Sequence, residues 1–162
     1  MTPLSLACQY GHVDVVEVLL AHEEIKINQA DKRGITPLSI TCENGHVGVV
    51  EALLKSNEIR INQADKNEGY TPLYVACQEG HVGVVRLLLA NKEIDINQCS
   101  NKNITPINKA SDQGHTDIVK LLLAQPNIDI NKQDDWGDTG ESCARKKGHT
   151  AIVTLFQNYQ TK

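Results

Sequence analysis

Cysteine and histidine recur four residues apart at Cys8 and His12, Cys42 and His46, and Cys77 and His81. On one helix that spacing puts both side chains on one face, where a thiolate and an imidazole make a metal pair or a nucleophile with its base. In each pair a glycine intervenes: Gly11, Gly45 or Gly80. Glycine closes helices, so the cysteine belongs to one helix and the histidine to the start of the next, and helical spacing does not apply. Buried, small cysteines and capping histidines are therefore expected. The column His12, His46, His81, His115 and His149 forms no shared metal site, because its members stand about 8–10 Å apart, one helix-packing distance. That distance also exceeds the roughly 7 Å that a disulfide spans between Cα atoms, so no bridge is expected along Cys8, Cys42 and Cys77.

No Cys-x-x-Cys, His-Glu-x-x-His, Gly-x-x-x-x-Gly-Lys or Gly-x-Gly-x-x-Gly string occurs, and nothing gathers a Ser, a His and an Asp. No catalytic residue, metal or cofactor is expected. The chain carries 20 acidic and 16 basic residues, a net charge of −4 that gives no reason to expect nucleic acid or an anionic membrane as partner. Its longest basic run, Arg145-Lys146-Lys147, suits a solvated helix end. No apolar stretch approaches the roughly 20 residues that span a bilayer, and the Met1-Thr2-Pro3 start has no basic, apolar leader. The expected setting is intracellular and cytoplasmic.

The elements that position these residues repeat. Thr-Pro begins at Thr2, Thr36, Thr71 and Thr105, with Thr139-Gly140 in fifth place, and Gly-His begins at Gly11, Gly45, Gly80, Gly114 and Gly148. Both ladders advance by 34, 35, 34 and 34 residues. A fixed period along the whole chain means one supersecondary unit copied five times, each copy burying its apolar face only against its neighbours.

Within the unit Thr36 to Tyr70, Thr36 is a good N-cap and Pro37 fits the first helical position, where a missing N–H costs nothing. A short helix starts there and ends at Gly45. Val47, Val49, Val50, Leu53 and Leu54 then form the buried stripe of a second helix. Ile59-Arg60-Ile61 alternates like a brief strand, and Asn62 to Gly69 has the turn chemistry of a hairpin finger. The same pattern recurs at Ile25 to Asn28, Ile94 to Asn97 and Ile128 to Asn131, and the 35-residue step is one extra residue at the tip around Lys66-Asn67-Glu68. Gly48 and Gly83, inside second helices, should each cost roughly 1 kcal/mol relative to Ala.

Thr36-Pro37-Leu38, Gly45-His46, Val49-Val50, Leu53-Leu54 and the turn Asp31-Lys32-Arg33-Gly34 resemble the ankyrin repeat over the full chain. The Trp-Leu-Gly-Tyr pattern of the tetratricopeptide repeat, which shares the period, is absent. The resemblance implies an all-α ankyrin-repeat solenoid of helix-turn-helix units with short β-hairpin fingers. It would be a single domain over 1–162, with repeats near 2–35, 36–70, 71–104, 105–138 and 139–162, the last a C-terminal cap. The family's His after Thr-Pro-Leu is replaced by Ser5, Ser39, Tyr74, Asn108 and Ser142, so its bond to the threonine should be missing and some stability lost. Glu141 and Arg145 stand where earlier repeats carry Leu and Cys, as a cap requires. The first repeat looks internal, which leads to the expectation of a longer array, or of self-association that covers this end.

The resemblance further implies a non-catalytic module that binds a protein along a concave face of finger tips and first-helix ends. Carried over residue by residue, the tips contribute Arg33 and Ile35, Tyr70, Lys102 and Ile104, and Trp136 and Asp138. The first-helix ends contribute Tyr10, Glu43 and Asn44, Gln78 and Glu79, and Asp112 and Gln113. The chain has one Trp, four Tyr and one Phe, and Tyr10, Tyr70 and Trp136 all fall in this set as candidate anchors. Replacing Tyr70 and Trp136 by Ala is thus expected to weaken binding without lowering the Tm; for Trp136 the competing reading is that it shields the junction with the capping repeat. Asn97 and Asn131 look like finger asparagines that are hydroxylated in some ankyrin proteins, but a structural role in tying down the turn is the better explanation of them. A regulatory or adaptor segment of a larger protein, such as a kinase or ligase adaptor, and a purely structural spacer are the alternative functions.

Overall fold

The computed structural model describes residues 1–161. Ten helices follow one another: α1 (Pro3–Tyr10), α2 (Val13–Leu20), α3 (Pro37–Asn44), α4 (Val47–Leu54), α5 (Pro72–Glu79), α6 (Val82–Ala90), α7 (Pro106–Gln113), α8 (Thr116–Leu123), α9 (Gly140–Lys147) and α10 (Thr150–Gln160). The odd-numbered helices pack on one another in order, and the even-numbered ones form a second layer behind them. Each odd helix is opened by a threonine hydroxyl accepting the N–H three residues on, and each is closed by a glycine at φ between +73° and +80°. The broken fifth rung has a steric cause. A Cβ at Gly140 would lie 2.9 Å from Phe156 and 3.1 Å from the Ser111 hydroxyl, so the proline of the other rungs does not fit.

The core lies between the layers. Leu4, Leu38, Leu73 and Ile107, with Cys8, Cys42 and Cys77, are buried from the odd helices, and Val49, Val84, Ile118 and Ile152 from the even ones. Gly48 and Gly83 have a packing reason: a Cβ at Gly48 would stand 3.1 Å from Val13, and one at Gly83 would stand 3.0 Å from Val47. The valine of the preceding repeat occupies the space that a side chain would fill.

Two local expectations are corrected. The fingers contain no strand among the described residues, Ile59-Arg60-Ile61 included. Each hairpin has one backbone bond across its base, Asp31 to Ile35, Asp65 to Tyr70, Ser100 to Ile104 and Asp134 to Asp138, and three add a turn bond, Gly34 to Asp31, Asn103 to Ser100 and Gly137 to Asp134, which is too few for a ladder. The position of the family's histidine is also less costly than anticipated. Thr2 and Ser5, and likewise Thr36 and Ser39, join their hydroxyls at 2.9 Å, and Thr139 with Ser142 forms a reciprocal capping box. Asn108 reaches the carbonyls of Lys132 and Asp138 at 3.1 and 3.3 Å.

The predicted loss falls on Asn108, whose side-chain oxygen is buried without a partner, and on Tyr74. Tyr74 is 1% exposed, its hydroxyl has no hydrogen-bond partner, and burial pushes its pKa upward. A buried hydroxyl without a partner costs about 1–3 kcal/mol. Tyr74→Phe is therefore expected to stabilise the protein by about 1 kcal/mol in urea denaturation, and a loss of stability would show that the hydroxyl is bonded.

Candidate partner-binding face

The fingers stack through one backbone bond per step. Lys66 N–H donates to the Arg33 carbonyl at 2.8 Å, Asn101 to Glu68 at 2.8 Å, and Asp135 to Lys102 at 3.1 Å. Inside each finger a carboxylate or hydroxyl collects the tip N–H groups: Asp31 takes Arg33 and Ile35, Asp65 takes Asn67, Glu68 and Tyr70, Ser100 takes Lys102 and Ile104, and Asp134 takes Trp136 and Asp138. The left-handed tip position filled by Gly34, Gly69 and Gly137 falls to Asn103 in the third finger, at φ 57°. Side chains on these tips thus sit on a braced edge.

The histidine column contributes to the same rigidity by a route that the sequence did not reveal. Each histidine stands at the N-cap of an even helix but makes no side-chain cap bond. From His46 onward the ring crosses to the preceding repeat instead. His46 donates Nε2–H to the Gln9 carbonyl, His81 to Glu43 and His115 to Gln78, each at 3.0 Å, and His149 donates to Asp112 at 3.1 Å. On the other side, the amides of Asn28, Asn62 and Asn97 each donate to one backbone carbonyl of the next repeat and accept one N–H from it, at 2.7 to 2.9 Å. Asn97 is therefore a clasp between repeats, whereas Asn131 is exposed.

Two clefts open between fingers and odd helices. The first, about 180 Å³, gathers Ile35, Glu43, Tyr70, Gln78 and Glu79 from the sequence-predicted set, together with Ser39, Asp65 and Val75. The second, about 270 Å³, gathers Ile104, Asp112, Trp136 and Asp138, and with them Lys109, Lys146 and Lys147. Trp136 is 66% exposed, so it does not act as a buried shield over the last junction. Tyr70 is half-buried, and its ring stacks on Tyr74 at 4.3 Å. The expectation that Tyr70→Ala leaves stability untouched is at odds with that stacking.

The other predicted residues lie outside both clefts. Tyr10 is exposed beside the His12 ring, at 6.2 Å. Arg33 pairs with its own Asp31 at 3.2 Å, and Lys102 pairs with Glu68 at 3.5 Å. Asn44 folds back onto the Ile40 carbonyl, and the Gln113 amide donates to Asp112. Val75 and Lys109 escaped the sequence reading, although they belong to one non-repeating column, Leu6, Ile40, Val75, Lys109 and Cys143, whose variation was a usable signal.

Asp134, Asp138 and Cys143 each bring a ligand-type atom within 4.8 Å of the others. Their chemistry is already occupied. Lys146 at 2.6 Å and the Ser142 hydroxyl at 2.8 Å hold the Asp138 carboxyl below the usual carboxylate range. Burial and the nearby carboxylates of Asp138, Asp134 and Asp112 push the Cys143 thiol up to about 11, so it is protonated near neutral pH. Burial raises the Cys8 thiol to about 11 and pushes Cys42 and Cys77 higher still, which removes them as nucleophiles.

No helix among the described residues is long and apolar enough to cross a membrane. No curated protein matches the chain. The family model described as ankyrin repeats (3 copies) matches residues 1–65 and 58–134, stopping short of the repeat in which Glu141 and Arg145 take the packing positions. With its five helix pairs and capped, finger-linked units, the chain belongs to the ankyrin-repeat family.

Proposed function

We propose that this protein is a non-catalytic, intracellular binding module whose protein partner lies across the two clefts between fingers and odd helices. Ankyrin repeats generally serve as protein-protein interaction modules. The observation that carries the reading is that most residues walling the two clefts differ from repeat to repeat, the finger aspartates Asp65 and Asp134 excepted, while the scaffold beneath them repeats. A face braced by hydrogen bonds on both sides loses little entropy on docking. The test is capture of partners from source cells followed by hydrogen exchange on the complex. Protection should fall on the finger tips and the ends of α3, α5 and α7, and protection confined to the even helices would overturn the reading. A structural spacer predicts no protection at all.

A specific observation favours self-association as well. Val15 is 49% exposed, whereas its counterparts Val49, Val84, Ile118 and Ile152 are fully buried by the preceding repeat, and Val18, one turn along α2, is exposed at 63%. The last repeat has exposed Arg145 where Cys8, Cys42 and Cys77 are buried, so stacking head to tail would set apolar against charged surface. Two copies meeting through their first repeats would match like with like. Light scattering should then report a dimer that Val15→Asp with Val18→Asp dissociates; a wild-type monomer across the micromolar range excludes it.

Of the two candidate asparagines, Asn131 is the one proposed for hydroxylation, because the amide of Asn97 is held at both ends. Intact mass after incubation with an asparaginyl hydroxylase should rise by one oxygen, located at Asn131; oxygen at Asn97, or none, contradicts this.

A further inference from the structure

The first cleft is acidic and uncompensated. Glu43, Asp65 and Glu79 line it, and no lysine or arginine does. The Asp65 oxygens are taken by the N–H groups of its own finger, and Glu79 accepts only the neutral amide of Gln78 at 2.8 Å. Neither Glu43 nor Glu79 makes a salt bridge among the described residues. In the second cleft, by contrast, three lysines face three aspartates, and Lys146 and Lys147 pair with Asp138 and Asp112 at 2.6 and 3.7 Å.

The two glutamates also stand where helix electrostatics oppose them. Glu43 is the penultimate residue of α3 and Glu79 the last of α5. Helix C-termini carry partial negative charge and favour cations, as α9 illustrates with Arg145, Lys146 and Lys147 in its last turn. Two carboxylates at two such ends build a negative potential that the fold itself does not offset. Beside them Tyr70 lines the cleft, its ring held in place by the stack on Tyr74.

Carboxylates next to an aromatic ring fit a guanidinium, which stacks on the ring and forks its N–H groups onto oxygen. At about 180 Å³ the cleft suits one side chain, since small-molecule sites run from about 300 Å³ upward. We propose that this cleft takes a single arginine of the partner, its guanidinium over Tyr70 and bonded to Glu43 and Glu79. The proposal rests on the partner-binding reading above and names the chemistry that one of its two clefts selects.

The probe is a phage-displayed library of random twelve-residue peptides selected on the whole protein. Enriched peptides should share an arginine at one fixed position. Changing that arginine to Gln, or making Glu43→Gln with Glu79→Gln in the protein, should weaken binding at least tenfold, and combining the two should cost little beyond either alone. Circular dichroism checks that the glutamine variant keeps its fold. Enriched peptides without a fixed arginine, or with one that the glutamine pair leaves unaffected, overturn the arginine site. If such peptides still lose affinity for Trp136→Ala, the binding face stands and only the arginine subsite falls. If nothing is enriched, the arginine site falls, and the binding face is decided by the hydrogen-exchange test alone.

Discussion

Replacing Gly45 with Ala is expected to destabilise the protein by about 3 kcal/mol, whereas the same change at Gly148 should cost only about 1–2 kcal/mol. Both glycines close an odd helix in the left-handed region, at φ 73° and 76°. There any Cβ costs roughly 1–2 kcal/mol. The surroundings differ. A Cβ at Gly45 would fall 2.6 Å from the His81 ring, while at Gly148 nothing lies within 4 Å. The ring would have to move, and its bond to the Glu43 carbonyl would go with it, a further loss of about 1 kcal/mol plus packing. In thermal melts of a chain this long the Gly45 variant should drop by roughly 6–12 °C. A double-mutant cycle isolates the cause: with His81→Ala already present, Gly45→Ala should cost no more than Gly148→Ala does. Equal costs for the two single variants would mean that the histidine clasp contributes nothing.

This clasp marks the boundary of what the sequence disclosed. Helix starts and stops were legible because Thr-Pro and Gly act within one turn of the chain, and the structure has those caps at the expected residues. The recurring histidine was visible, but its acceptor was not. The acceptor is a backbone carbonyl 37 or 38 residues away, an atom that every residue type offers, so no sequence pattern names it. The finger asparagines were likewise seen as turn residues when their amides in fact span two repeats. The brief strands failed for a related reason: alternation at Ile59-Arg60-Ile61 marks which isoleucines face the core, and Ile59 and Ile61 are indeed buried, but with no partner strand there is no ladder.

The candidate face was legible in part, for the same physical reason. Tip and helix-end positions follow from the unit's grammar, and nine of the residues named from them line the two clefts. What periodicity hides is which side chains are already engaged at home. Arg33 and Lys102 are held by their own finger or the neighbouring one, so less of their charge is available to a partner than the sequence suggests.

The aromatic anchors separate along this line. Trp136→Ala is expected to reduce partner affinity by at least thirtyfold, about 2 kcal/mol, with the Tm unchanged, because the ring is 66% exposed and its loss uncovers no core. Tyr70→Ala should reduce affinity too, but it also strips the stacked cover from buried Tyr74, and the Tm should fall by several degrees. Tyr70→Phe keeps the ring and should retain the wild-type Tm, which separates the role of the ring from that of its hydroxyl. Calorimetric melts beside affinity measurements on one captured partner decide the matter. Unchanged affinity in Trp136→Ala would take the second cleft out of the interface, and an unchanged Tm in Tyr70→Ala would show that the stack with Tyr74 carries no stability.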